Sequence, residues 1–239
     1  MKPAADIPSL APAQQTAPAA AGGLKWNQRL ALAVSAHWLL ILTTAAGTYI
    51  GLGLLAPLSM VLGWKTFAKA MYALYSPICH QYAHRSWFVF GKATSYAPEQ
   101  FLELTGIDAT TPIGRLTARG FSGTATLGWK TAYCQRDMAI YTGVLGASLL
   151  YGFLRARKLR ICPAPWLLYA AIGLVPIGLD SLTQLLWQPP FSFPLAPSRE
   201  STPLLRTATG FLFGSMNVWL AYPHLEDWMA EVRLRRAPA

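Results

Sequence analysis

Charged side chains are scarce in this sequence, and four long segments contain none. Only 13% of the 239 residues are Asp, Glu, Lys or Arg, about half of the share in a soluble domain. Residues 30–64, 138–154, 161–179 and 207–225 carry no such charge at all. This absence excludes an ordinary soluble domain, and the length of the segments matches the roughly 20 residues that a membrane-spanning helix needs.

The charge-free segments predict an all-α membrane protein. Strands are not expected, because these segments show no strict two-residue alternation and a bilayer admits only helices and closed barrels. About four transmembrane helices are predicted. Their approximate ranges are 29–55, 138–154, 165–187 and 203–222.

The formal net charge of +10 reflects topology rather than nucleic-acid binding. Four Lys or Arg residues fill the short link after the second span, at 155–160, and others flank the first and last spans. The positive-inside rule places these flanks in the cytoplasm. We therefore expect a multi-pass inner (plasma) membrane protein with both termini cytoplasmic, membrane lipid as its partner and no nucleic acid.

The chain divides into a tail, a membrane domain and one long excursion. Residues 1–24 are rich in Pro and Ala and predict a disordered cytoplasmic tail. Residues 25–239 form a single membrane domain, and residues 56–137 form its extracytoplasmic excursion. Within the excursion we predict an amphipathic helix on the outer surface, a short helix between Pro98 and Gly106, and then a loop insertion or a small strand pair.

Glycines recur at helical spacing in the spans, at Gly47 and Gly51, at Gly143 and Gly146, and at Gly210 and Gly214. Such spacing lets two helix backbones approach closely. Two alternatives are open, packing within one bundle and a dimer interface.

No phosphate loop, nucleotide fingerprint, metalloprotease motif or haem-attachment motif occurs, and nothing specifies a catalytic reaction. One group of residues could nevertheless hold a metal ion. Its members fall on the predicted outer side and carry thiol, imidazole or carboxylate groups, and they are Cys79, His80, His84, Cys134 and Asp137.

Three alternatives are open for this group. An oxidising compartment favours a disulfide between Cys79 and Cys134. Thiolate, imidazole and carboxylate ligands suit zinc or copper, and the i, i+4 spacing of His80 and His84 suits two ligands on one helix. A packed corner without either is the third alternative. The cofactor itself is not identified by the sequence.

A second group of polar residues lies within or beside the third and fourth spans. Asp180 falls inside the third span, and its depth predicts an ion pair with Arg206 at the start of the fourth. The alternative is an ion or proton path through Asp180. Supporting polar residues on these two spans and the link between them are Thr183, Gln184, Arg199 and Glu200.

Three segments together resemble a family of prokaryotic membrane proteins, the domain of unknown function numbered 2085. They are "PICHQYAHRSWFVFG", "CQRDMAIYTG" and "RESTPLLRTATGFLFG". The resemblance runs from about residue 72 to residue 214. One departure concerns the cluster, because Asp137 stands where many members of the family carry a second Cys. The resemblance implies a membrane fold and the location of a site, and it implies no activity.

Three functions follow as hypotheses. The first is a non-catalytic accessory or structural subunit of a larger membrane complex, with other membrane protein subunits as partners. The second is a metal-binding or thiol-redox membrane protein that uses the extracytoplasmic Cys/His/Asp cluster. The third is a small transporter or channel that uses the polar positions of the third span.

Overall fold

The computed structural model describes residues 25–186 and 200–236. The predicted tail 1–24 lies outside these residues. The link that contains Arg199 lies outside them as well.

Four long helical segments form the body of the protein. They are α1 (Trp26–Val61), α5 (Gln135–Ala156), the continuous segment Trp166–Leu186, and α8 (Pro203–Arg236). The third segment consists of α6 (Trp166–Leu168), a π-helical stretch (Tyr169–Leu174) and α7 (Val175–Leu186).

Three of these segments are long and apolar enough to cross a membrane, namely α1, α5 and Trp166–Leu186. They contain the first three predicted spans almost entirely. Helix α8 has 34 residues but is not among the three, so the predicted count of four spans is not confirmed. Large apolar side chains such as Leu40, Leu149 and Leu182 point outward from the bundle, where a bilayer would cover them.

The excursion contains strands as well as helices, and this corrects the all-α prediction. Its elements in chain order are α2 (Lys65–Tyr75), a 3₁₀ turn (Ala83–Arg85), β1 (Ser86–Val89), α3 (Pro98–Thr105), α4 (Pro112–Gly120), β2 (Gly123–Thr124) and β3 (Gly128–Cys134). The strands form an antiparallel sheet in the order β1-β3-β2, with Ser86 opposite Cys134.

The central strand explains why the sequence pattern did not distinguish a strand pair from a loop in this part of the excursion. Consecutive residues Lys130, Thr131, Ala132 and Tyr133 are all buried, because α1 and α2 pack against the strand as well as β1 and β2. A strand that is buried on both faces shows no two-residue alternation of polar and apolar side chains. The signal that identifies a strand was therefore missing.

Both helices that the sequence predicts for the excursion are present, and the outer-surface position of the first remains a prediction. Helix α2 has 11 residues and is too short to cross a bilayer. Helix α3 begins at Pro98, and Gly106 ends it in the left-handed conformation with φ 71°. Its buried Phe101 packs with Phe88 and Leu127 of the sheet region in a compact apolar core.

The sheet lies at one end of the helical bundle, which we call the sheet end. Strand β3 continues directly into α5 at Gln135, and the ring of Tyr133 fills the space above Gly53 of α1. Its hydroxyl donates a hydrogen bond to the Ile50 carbonyl at 3.0 Å. The sheet is thus joined to the bundle through α1 and α5.

Glycines of α5 and α8 lie where these two helices touch. A Cβ atom at Gly143 would lie 2.4 Å from the Phe211 carbonyl oxygen, and one at Gly214 would lie 2.1 Å from that of Ile140. The packing alternative therefore holds for these glycines. Gly51 and Gly146, in contrast, have nothing within 4 Å of an added Cβ.

We predict that Gly214→Ala lowers the free energy of unfolding by about 1–3 kcal/mol, because the added methyl group forces α5 and α8 apart. Thermal unfolding of the purified protein in detergent measures this. The matched control is Gly146→Ala on α5, which adds the same methyl group in open space and should leave stability unchanged or raise it by up to about 1 kcal/mol. Equal losses in both variants would contradict the packing.

Candidate functional site

Four stretches of the chain that are far apart in sequence meet at the sheet end of the bundle. They are 79–86, 134–137, 180–184 and 200–206, and hydrogen bonds and ion pairs connect them. Each of the three motifs that carry the family resemblance contributes to this meeting point. It is therefore the candidate functional site.

Glu200 is the acceptor on which several of these stretches converge. Arg85 binds its two oxygens in a bidentate manner, at 2.7 Å and 2.9 Å. Gln184 of α7 donates to the same carboxylate at 2.7 Å, and Arg206 of α8 forms an ion pair with it. Burial alone would raise the pKa of Glu200, but the guanidinium groups of Arg85 and Arg206 outweigh that effect and lower the pKa.

Asp180 pairs with Arg136 rather than with Arg206, which corrects the predicted pair. The carboxylate of Asp180 forms an ion pair with Arg136 and accepts a hydrogen bond from Ser201 Oγ at 2.9 Å. Arg206 instead forms an ion pair with Glu200. Its Nη1 also donates a hydrogen bond to Gln135 Oε1 at 3.0 Å. The depth of Asp180 and Arg206 along their helices suggested the pair, but depth does not determine the direction in which a helical side chain points.

Of the polar positions of α7, Asp180 and Gln184 belong to this network. The amide group of Gln184 donates to Glu200. Thr183 Oγ1 donates to the carbonyl of Leu179, one turn earlier in the same helix, at 2.6 Å, a common arrangement of threonine in helices. These contacts do not favour the transporter hypothesis.

Two thiols and one carboxylate lie together beside the network, and we call them the thiol cluster. Cys79 Sγ, Cys134 Sγ and a carboxylate oxygen of Asp137 all lie within 4.8 Å of one another. The backbone N–H of Cys134 donates to Cys79 Sγ at 3.2 Å, and that of Asp137 donates to Cys134 Sγ at 3.4 Å. Strand β3 ends and α5 begins at this point. The turn from strand to helix therefore positions the side chains of Cys134 and Asp137.

Both cysteines of the cluster are free thiols, so the predicted Cys79–Cys134 disulfide is not formed in this structure. A hydrogen bond with the Cys134 thiol, together with burial and the nearby Asp137 carboxylate, raises the pKa of Cys79. Ionisation of the Cys79 thiol is thus disfavoured unless a cation joins the cluster.

The two histidines do not act as a pair. His80 is exposed, whereas His84 is buried in the 3₁₀ turn with Nε2 4.0 Å from Glu200. Burial and the adjacent Arg85 charge lower the pKa of His84 to about 3. The prediction that His80 and His84 lie on one face of a helix is therefore wrong, because residues 79–82 are not helical.

The thiol cluster opens into a small cavity of about 190 Å³. Its wall includes Cys79, His80 and Asp137 as well as the guanidinium groups of Arg136 and Arg206. Arg206 is 2% exposed, and its Nε has no hydrogen-bond partner among the residues that the structure describes. The cavity therefore offers polar groups that a bound molecule could satisfy.

Gln81 positions the first motif, and the prediction of site residues missed it. Its side-chain amide donates to the carbonyls of Tyr72 and Ala132 at 2.8 Å and 2.7 Å, which ties α2 to β3. The residue has φ 54°, a conformation that costs a non-glycine residue about 1–2 kcal/mol. Gln81 belongs to the first quoted segment and Gln135 to the second, so membership of these segments was the available signal for both.

The helices and the site define an integral membrane protein with a polar site at one end of its bundle. A family model described as "Predicted membrane protein (DUF2085)" matches residues 101–220, half of the chain. The chain belongs to this family. The matched region includes Cys134, Arg136 and the stretch 200–206, but it begins after the first motif at Cys79.

One relative extends the similarity over most of the chain. The uncharacterized protein MJ1492 of Methanocaldococcus jannaschii is 29% identical over 192 residues, which is 78% of this chain and 91% of the relative. No solved structure matches the chain.

We predict that Asp180 and Arg136 are energetically coupled. Asp180→Asn and Arg136→Gln should each cost about 3–5 kcal/mol, because each leaves a buried charge without this partner. The double variant should recover about 1–3 kcal/mol of the summed loss. Thermal unfolding in detergent of the four proteins measures the coupling.

A distant pair supplies the control. Arg155 binds Glu226 near the opposite end of the bundle, so Arg155→Gln and Asp180→Asn should be additive. If Asp180→Asn instead couples to Arg206→Gln as strongly as to Arg136→Gln, the ion pair assigned here is wrong.

Proposed function

We propose that this protein is a multi-pass membrane protein that binds one thiophilic metal ion, zinc or copper, in its thiol cluster. The observation that carries the proposal is the convergence of Cys79 Sγ, Cys134 Sγ and an Asp137 oxygen within 4.8 Å. Two sulfur ligands and a carboxylate form a donor set that suits both metals.

The spacing of the donors fits a single ion. Zn–S distances near 2.3 Å in a tetrahedral site place two sulfurs about 3.8 Å apart. The donor atoms therefore need only small rotations of their side chains to reach a common ion. Three protein ligands leave a fourth position toward the cavity, and the exposed imidazole of His80 lines the same cavity.

The charges around the cluster also suit a divalent cation. The ion would displace the protons of the Cys79 and Cys134 thiols, and the Asp137 carboxylate would supply a third anionic ligand. The affinity should therefore fall at lower pH, where protons compete for the thiolates.

The proposed topology puts the thiol cluster outside the cytoplasm. The basic link at 155–160 lies at the end of α5 opposite to the sheet, and the positive-inside rule supports a cytoplasmic location for it. In this arrangement α8 is the fourth span and both termini are cytoplasmic. A bound metal would then also protect the close thiols from oxidation to a disulfide in that compartment.

A role as an accessory subunit is the second candidate, and one observation favours it. Leu104 of α3 and Ile113 of α4 are exposed although they belong to the excursion rather than to a span. A partner subunit would cover them. Glycines Gly143, Gly210 and Gly214 no longer support this role, because α5 and α8 use them for their own contact.

Mild-detergent purification tests this second candidate. The wild-type protein should co-purify with a partner, and a Leu104→Ser, Ile113→Ser variant should lose that partner without a change in thermal stability. A wild-type protein that is monodisperse and alone would contradict the role.

Metal analysis of the purified full chain tests the first candidate. After equilibration with zinc or copper and removal of excess ion, the wild-type protein should retain a stoichiometric amount by elemental analysis. Cys79→Ser and Cys134→Ser should each weaken binding by more than about 100-fold, since even outer-shell partners of a metal contribute 10–100-fold. Asp137→Cys should strengthen binding, because a third thiolate suits a soft metal.

Cys162→Ser is the matched control, because Cys162 is an exposed free thiol away from the cluster. It should retain the wild-type amount of metal. Alkylation before any reduction distinguishes the other outcomes. If Cys79 and Cys134 are blocked as a disulfide, or if both are free and no metal is retained, the proposed function is wrong.

A further inference from the structure

A second cavity, of about 460 Å³, lies on the other side of Gln81, between the end of α1, α2, α4 and β3. The charged side chains in its wall are all cations: Lys65, Lys69, Arg119 and Lys130. No carboxylate lines this cavity within the described part of the chain. The wall of this cavity is therefore positively charged. The cavity does not include any residue of the thiol cluster.

Lys130 is the most unusual of these cations, because it is 1% exposed at the inner end of the cavity. Its Nζ donates to the carbonyls of Gln81 and Arg119, at 2.7 Å and 2.6 Å. An ammonium group has three N–H donors, so one makes no hydrogen bond to the residues that the structure describes, and the ring of Tyr72 lies 5.8 Å from Nζ. Burial lowers the pKa of Lys130 to about 7, and the charge of Arg119 contributes to this decrease. An anion in the cavity would supply the missing counter-charge.

The neighbouring groups are those that recognise phosphate oxygens. Arg119 is held by Ser76, to whose carbonyl its Nη2 donates at 2.8 Å, and Ser122 adds a hydroxyl to the wall. Guanidinium, ammonium and hydroxyl groups together form strong charge-assisted hydrogen bonds to phosphate.

Apolar side chains at the edge of the cavity indicate where such a phosphate comes from. Helix α2 begins four residues after α1, which is a candidate span. Trp64 and Phe67 are exposed and lie next to the wall residues Lys65 and Lys69 in the sequence. Leu116 is exposed in the wall itself. Tryptophan and other aromatic residues at the end of a span are typical of the membrane–water interface.

We propose that this cavity binds a phosphate anion, and that its source is the headgroup of an anionic phospholipid in the adjoining leaflet. The headgroup lies against Lys65, Lys69 and Arg119 with Lys130 beneath it, and the acyl chains run along the exposed apolar side chains of α1 and α2. This assignment does not depend on metal binding, because it uses different residues.

Short-chain lipids added to the full-length protein in neutral detergent test the proposal. Phosphatidylglycerol should raise the Tm with saturable concentration dependence, whereas phosphatidylcholine at the same concentration should raise it much less. Lys69→Gln should weaken the apparent affinity for phosphatidylglycerol about fivefold, as expected for one basic group near an anionic lipid. Lys92→Gln is the matched control, since it removes another exposed Lys of the excursion that does not line the cavity.

Each other outcome overturns part of the proposal. If inorganic phosphate stabilises the wild-type protein and phosphatidylglycerol does not, the cavity binds free phosphate and the lipid assignment is wrong. If Lys69→Gln and Lys92→Gln weaken the effect equally, the attraction is a general surface effect and the cavity is not the site. Both variants change only exposed side chains, so loss of folding does not confound the comparison.

Discussion

The ion pairs at the sheet end of the bundle are the interaction on which the rest of this structure depends. Glu200 binds Arg85 from the excursion, Gln184 from α7 and Arg206 from α8. Asp180 binds Arg136 at the start of α5. Because each partner comes from a different element, the network can form only when the excursion, α5, α7 and α8 are all in place. Desolvation makes the formation of such a buried pair costly, whereas removal of one partner is strongly destabilising because it leaves an uncompensated buried charge.

The network also explains why the thiol cluster lies where it does. Arg85 and Cys79 belong to one short stretch, and Arg136 lies between Cys134 and Asp137. When the arginines bind their carboxylates, the residues beside them are brought together as well. The side chains of the proposed metal site are therefore positioned by neighbouring arginines that do not bind the metal themselves. Supporting residues of this kind hold a site in its geometry.

Strand β3 connects the two proposed sites. Its end supplies Cys134, and its middle supplies Lys130, whose ammonium group binds the carbonyl of Gln81. The amide of Gln81 in turn holds α2 against β3. The thiol cluster and the basic cavity thus lie along one buried strand, and Gln81 lines the cavities of both, although their ligands would be chemically unrelated.

The charge-free apolar segments of the sequence determined the membrane class and the approximate ranges of three of the four predicted spans, because a bilayer requires long apolar segments irrespective of how they pack. Local chemistry also determined the start of α3 at Pro98 and its end at Gly106, since these depend on the conformational preferences of single residues. The sequence left a loop and a small strand pair open for the segment that forms β2 and β3, because β3 is buried on both faces and carries no alternating pattern. Only the tertiary structure decided that Asp180 binds Arg136 rather than Arg206, and that Cys79 meets Cys134 and Asp137 without His84. Those choices depend on the direction of each side chain around its helix or turn, and that direction follows from packing between elements that are distant in the sequence.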